Sequence, residues 1–255
     1  MEEPLGLRRL FRLPRFNFGR KKMNFKINPF KLFTKFELWL WGISMATVFL
    51  SFIIPSEKDV LSLAASLIGV TALIYNARGN VMGQILSIAF SLLYGIISII
   101  FGYWGEAITY LGMTMPAAIL STISWIRNPY GNTGEVKASK MTKRIALYML
   151  LAAIPVTLLF YFSLWALDTP NLAWSTVSIT TSFIASFLTF MRSPYFALVY
   201  SLNDIVLIIL WALASVESLS YLPMVACFVM FLFNDMYGFF SWRKMQKRQS
   251  LQNED

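Results

Sequence analysis

The chain has 255 residues, 57% hydrophobic and only 14% charged, with a mean hydropathy of +0.59, which excludes an ordinary soluble domain. It has no histidine and one cysteine, Cys227, which removes His/Cys metal centres, Ser–His or Cys–His catalysis, haem and disulfides. The net charge of +9 would suit a nucleic-acid partner, but the basic residues cluster at membrane borders, where they face lipid headgroups instead.

Residues 1–36 form a basic leader with ten Lys and Arg between Arg8 and Lys35, interleaved with Leu and Phe. The leader lacks an apolar core and a small-residue cleavage site, so it reads as an anchoring segment on the cytoplasmic leaflet. A first apolar span covers 37–54, and three more follow at 60–76, 81–102 and 106–125. A polar linker from Asn128 to Lys143, rich in Gly, Asn and Pro, is expected to be a flexible hinge. Further spans cover 145–167, 172–190, 195–214 and 220–241, before a tail at 244–255. At about 1.5 Å per residue, spans of about 20 residues cross a hydrocarbon core of about 30 Å. With eight spans, 21 of the 22 basic residues lie on one side and only Lys58 on the other, which places both termini in the cytoplasm.

Residues 60–127 and 172–243 read as two copies of a three-helix unit. Each has a short turn carrying an arginine (Arg78-Gly79-Asn80 and Arg192-Ser193-Pro194) and ends in Ser-Trp (Ser124-Trp125 and Ser241-Trp242). The arginine-to-tryptophan separations are 47 and 50 residues, and Glu106 and Glu217 sit near corresponding outer ends. The segment 128–167 contributes a linker loop and one more span, which restores the direction of the second copy. The expected fold is therefore an all-α integral membrane protein of eight transmembrane helices. Two parallel three-helix repeats are joined by a linker helix (3+1+3), and 37–54 is an extra helix at the front.

Within the spans, Asn203-Asp204 and Asn234-Asp235 bring carboxylates and amides to similar depth. An intramembrane carboxylate costs a few kcal/mol to insert, so it faces the bundle interior or a wet cavity with a partner. Tyr200, Asn203, Asp204, Leu207 and Trp211 fall on one helical face. So do Phe231, Asp235, Gly238 and Trp242, with Asn234 beside them, and Glu106, Tyr110, Thr114, Ser121 and Trp125. Two readings stay open for the aspartates: ion pairs with Arg192 or Arg243 that serve architecture, or a binding site. Trp39, Trp41, Trp104 and Trp174 are assigned to the interfacial aromatic belt.

The strings FALVYSLNDIVLIILW (196–211), YLPMVACFVMFLFNDMYGFFSW (221–242), IYNARGN (74–80) and YWGEAITY (103–110) resemble the PnuC nicotinamide riboside transporter family, over about residues 60–245. The resemblance implies a SWEET-like 3+1+3 bundle in the bacterial inner membrane. It implies facilitated diffusion of nicotinamide riboside for NAD synthesis, trapping by a cytoplasmic kinase, a homotrimer, and no cofactor. Phe196, Tyr200, Asn203, Asp204, Trp211, Asn234, Asp235, Glu106, Tyr110 and Thr114 are the expected substrate-binding residues. The family's tandem tryptophans upstream of the Asn-Asp pair are replaced here by Tyr195, Phe196 and Tyr200. A related vitamin, thiamine or riboflavin, is the alternative cargo. An intramembrane enzyme or assembly factor is the rival class, and it would have to work with carboxylates alone.

Overall fold

The computed structural model describes residues 33–53, 60–100, 104–169, 171–217 and 222–252. Leader residues 1–32, Lys58 and the side chain of Glu217 lie outside what is described. Eight helices among the described residues are long and apolar enough to cross a membrane. They are α1 (Lys35–Ile53), α2 (Val60–Ala77), α3 (Val81–Ile100), α4 (Trp104–Ile126), α5 (Lys143–Ala166), α6 (Leu172–Phe190), α7 (Tyr195–Glu217) and α8 (Leu222–Leu251). At 30 residues, α8 is about 45 Å long and projects well beyond a hydrocarbon layer of about 30 Å.

Six of these helices pack in a closed ring. In order around it, α2, α3, α4, α6, α7 and α8 each touch the next, and α8 returns to α2. The two remaining helices sit outside: α1 lies against α2 and α8, and α5 against α6. Most of α5 faces outward, with Leu147, Leu151, Leu158 and Phe162 exposed for contact with lipid, and a Thr157–Thr180 hydroxyl bond of 2.9 Å ties it to α6.

The turns that join α2 to α3 and α6 to α7 have the same construction. The N–H groups of Gly79 and Asn80 donate to Asn76 O and Tyr75 O, at 2.9 and 3.0 Å. In the other turn, Arg192 and Ser193 donate to Thr189 O and Leu188 O, both at 2.9 Å. Both are helix C-caps in which one residue adopts a left-handed conformation, Gly79 at φ 64° and Arg192 at φ 56°. Gly79, and not Arg78, therefore corresponds to Arg192, one residue away from the sequence-based match. The left-handed position fixes that register because the capping bonds are counted from it.

Arg78 has a different task. Helix α1 begins with a capping box, in which Thr34 Oγ1 accepts from Glu37 N–H (3.3 Å) and Glu37 Oε2 accepts from Thr34 N–H (2.6 Å). The other oxygen of Glu37 accepts from Tyr237 Oη of α8 (2.8 Å) and pairs with Arg78 Nε (2.9 Å). One carboxylate thus starts α1 and fastens it to both of its neighbours. Trp41, expected in the interfacial belt, instead donates from Nε1 to Thr71 Oγ1 (3.2 Å) and packs with Val70 and Leu67 between α1 and α2.

The polar linker is ordered rather than a loose hinge. Pro129 and Val136 form a β-bridge, Val136 N–H donates to Gly79 O, and Ser139 N–H donates to Arg192 O, both at 2.9 Å. The extension of α8 holds it from outside: Gln249 bonds Ala138 N–H and Val136 O, Gln246 bonds Ser139 O, and Arg248 pairs with Glu135. Burial raises the pKa of Glu135 above its ordinary value, while Arg248 and Arg78 pull it back down. The Gly and Asn content that suggested flexibility serves tight turns, with Gly131 and Gly134 at positive φ.

Removing one partner of a buried ion pair costs about 3–5 kcal/mol. Glu37→Ala is expected to lower the thermal midpoint in detergent by several degrees and to release α1. Glu37→Gln, which retains hydrogen-bonding capacity at the cap, is expected to fall between Ala and the parent. Differential scanning fluorimetry of the three proteins checks the order.

Candidate binding cavity

The ring encloses a cavity of about 340 Å³, within the range of small-molecule sites. Its deep end is bounded by Asn76, Thr189 and Phe196, all buried. The other end reaches Trp104, Leu167 and Asn171, which are exposed and form a mouth where α4 begins and α5 gives way to α6.

Nine of the ten candidate residues line this cavity: Phe196, Tyr200, Asn203, Asp204, Trp211, Asp235, Glu106, Tyr110 and Thr114. The tenth, Asn234, does not. Its Nδ2 donates to Ser44 Oγ of α1 and to Met230 O, both at 2.8 Å. Adjacent residues on a helix point about 100° apart, and on α8 that offset turns Asn234 towards α1 while Asp235 lines the cavity. Asn234 joins α8 to α1.

Among the described residues, neither Asp204 nor Asp235 pairs with Arg192 or Arg243. Arg192 Nη1 donates to Ser124 Oγ (2.7 Å) and its Nε to Lys137 O (3.1 Å), while the Arg243 guanidinium lies over the Tyr195 ring, 5.5 Å from the centroid. Asp204 and Asp235 instead both line the cavity, on the neighbouring helices α7 and α8. Asp204 Oδ2 is buried in the cavity wall with no hydrogen-bond partner among the described residues.

Asn203 is committed on one side. Its Oδ1 accepts from Thr181 Oγ1 (2.8 Å) and Ser178 Oγ (3.1 Å) of α6, which leaves the amide N–H₂ as the group it offers inward. Tyr200 Oη is bonded to Ser186 Oγ at 3.0 Å. Tyr110 lies in an aromatic wall, with its ring 4.4 Å from Tyr94 and 5.8 Å from Phe90, which in turn is 6.1 Å from Phe231.

Helix α4 presents its polar stripe by a departure from α-geometry. Glu106 and Trp125 are 19 residues apart, which in a regular helix at about 100° per residue would leave them about 100° out of phase. Residues Tyr110–Thr114 form a π-turn, which takes up one extra residue and brings the two ends back into phase. Thr114 Oγ1 donates to Thr109 O (3.2 Å) within it.

The sequence reading overlooked the contribution of α2, α3 and α6. Gln84 Nε2 donates to Asn76 Oδ1 (2.8 Å), and Asn76 Nδ2 donates to Ser87 Oγ (3.3 Å), which makes an amide pair at the cavity floor. This close approach needs Gly83, where an added Cβ would overlap the Asn76 amide. Ser178, Ser182, Ser186 and Thr189 line the wall from α6. Their spacing of four, four and three residues is a helical stripe that was present to be read.

Residues 59–244 match the model of a family described as "Nicotinamide mononucleotide transporter". A curated protein of Neisseria mucosa, "Nicotinamide riboside transporter PnuC", is 25% identical over 195 residues, 74% of each chain. A solved structure, "Crystal structure of the Vitamin B3 transporter PnuC", superposes with a TM-score of 0.72 at 23% identity, covering 85% of this chain and 94% of that one. That likeness shows that the two share a fold.

Asn234→Ala is expected to leave Ser44 Oγ with only its bond to Leu40 O and to destabilise the protein by about 1–2 kcal/mol without altering the affinity of a cavity ligand. A thermal midpoint and a titration on the same preparation check this.

Proposed function

Because the chain belongs to the nicotinamide mononucleotide transporter family, we propose that it imports nicotinamide riboside across a bacterial inner membrane by facilitated diffusion, supplying NAD synthesis. The observation that carries this reading is the chemistry of the cavity wall. It combines aromatic rings, amides, hydroxyls and the carboxylates Glu106, Asp204 and Asp235, with neither lysine nor arginine among its lining residues. Nicotinamide riboside joins a cationic pyridinium to an uncharged ribose. Tyr110, Phe90 and Phe231 offer ring faces to the cation. The Asn203 amide, the Asn76–Gln84 pair and the unpartnered oxygen of Asp204 suit the ribose hydroxyls and the carboxamide.

The family is described by the mononucleotide and the curated relative by the riboside. The charge of the cavity favours the riboside, because a phosphate would enter beside three carboxyl groups with no basic side chain to receive it. The proposal further has two parallel three-helix units, α2–α4 and α6–α8, with α5 as the linker helix and both termini cytoplasmic. The matched turns at Gly79 and Arg192 support the first part, and the distribution of basic residues supports the second. A homotrimer and a kinase that traps the imported nucleoside as its phosphate complete the picture.

Proteoliposomes containing only this protein are expected to equilibrate labelled nicotinamide riboside without a proton or sodium gradient. Accumulation above the external concentration that an ionophore abolishes would overturn the uncoupled mechanism.

An unpaired buried charge costs several kcal/mol, so nicotinamide mononucleotide is expected to bind more than about a thousandfold more weakly than the riboside. Comparable affinities by calorimetry would overturn the charge argument.

Asn203→Leu removes both the inward amide and the bonds to Ser178 and Thr181. Affinity is expected to fall about ten- to a hundredfold, with a lower thermal midpoint as well. A lower midpoint with unchanged affinity would assign Asn203 to helix packing alone.

A further inference from the structure

Beneath the cavity floor lies a layer in which two tryptophans exchange hydrogen bonds between the halves of the ring. Trp125, near the end of α4, donates its indole N–H to Thr189 O of α6 at 2.9 Å. Trp242, on α8, donates to Asn76 O of α2 at 2.7 Å. These two carbonyls are equivalent: each also accepts the N–H of the left-handed capping residue, Gly79 or Arg192, in its own turn. Each indole therefore leaves the last helix of one three-helix unit and bonds the first helix of the other.

The tryptophan rings lie 5.3 Å apart and are both fully buried. Val136 of the linker, also fully buried, packs in the same cluster. The linker joins the matched turns through Val136 N–H to Gly79 O and Ser139 N–H to Arg192 O. The side chains of Asn76 and Thr189 line the cavity while their carbonyls hold the indoles, so floor and seal share the same two residues.

We infer that Trp125 and Trp242 are positioning residues of the transport step, whose crossed indole-to-carbonyl bonds hold the terminus-side exit of the cavity shut. Substrate leaves on that side only when both bonds break and the linker yields. Opposite this seal, the cavity is lined by the exposed residues Trp104 and Asn171, at the end away from the termini. The inference rests on the reading of the chain as a transporter with two three-helix units.

The test uses the single native cysteine. In a Cys227→Ala background, Ser121→Cys places a reporter on the cavity wall. Membrane-impermeant maleimide is then added to vesicles from the side that carries the termini. Trp125→Phe and Trp242→Phe keep an aromatic ring and remove only the N–H donor. Labelling is expected to rise about fivefold for each single variant and about twenty-five-fold for the double variant, the effect of losing one or two ordinary hydrogen bonds. Unchanged labelling in folded variants would overturn the inference and make the indoles ordinary packing groups.

Should the Phe variants fail to fold, Gln246→Ala loosens the same seal from outside by releasing Ser139 O of the linker, a bond of 2.8 Å. It is expected to raise labelling about twofold, and no change there would equally count against the seal. Labelling needs no substrate, so binding of nicotinamide riboside by the parent, measured by calorimetry, separates failure of the seal from failure of the proposed cargo.

Discussion

Inside a bilayer, a polar group has no water to fall back on and must find its partner within the protein. That constraint accounts for the shape of the ring. The amides and hydroxyls of α2, α3, α6 and α7 and the carboxyls of α4, α7 and α8 turn inward, where Asn76 meets Gln84 and Asn203 meets Thr181. The outward faces of α1 and α5 are left to leucine, isoleucine and phenylalanine. Within that polar interior, Asp204 Oδ2 and Ser91 Oγ are left without a hydrogen-bond partner among the described residues.

The two outer helices are attached by different means, although the turns they border are built alike. Arg78, beside the α2–α3 turn, reaches Glu37 at the start of α1, while Arg192, within the α6–α7 turn, reaches Ser124 and the linker carbonyl of Lys137. Arg78 thus holds the added helix α1, and Arg192 holds the connection between α4 and α5. Near-identical local structure has been put to two architectural uses through the choice of a single partner.

The eight helices were legible because apolar length in a membrane protein is a strong signal, and so was most of the cavity wall on α4, α7 and α8, where carboxylates stand out among leucines. Asn234 was misplaced because its chemistry matched Asp235 while its position on the helix did not. The amide pair of Asn76 and Gln84 was hidden by its nearness to a turn, where polar residues are ordinary. The π-turn in α4 leaves no compositional mark, since nothing in YLGMT distinguishes hydrogen bonds spanning five residues from bonds spanning four. The order in the linker was equally hidden, because it comes from contacts made by Gln246 and Gln249, more than a hundred residues later in the chain.

The layer formed by Trp125, Trp242, Phe196 and Val136 contains no charged side chain, and its only polar side-chain atoms, the indole nitrogens, already have their partners. An energised membrane stores about 2.3 kcal/mol per elementary charge for every 100 mV, and any wet path through a carrier would dissipate it. A dry aromatic plug gives protons and small ions no polar group on which to pause between the cavity and the side that carries the termini. In this closed form the layer insulates the cavity electrically from the side that carries the termini.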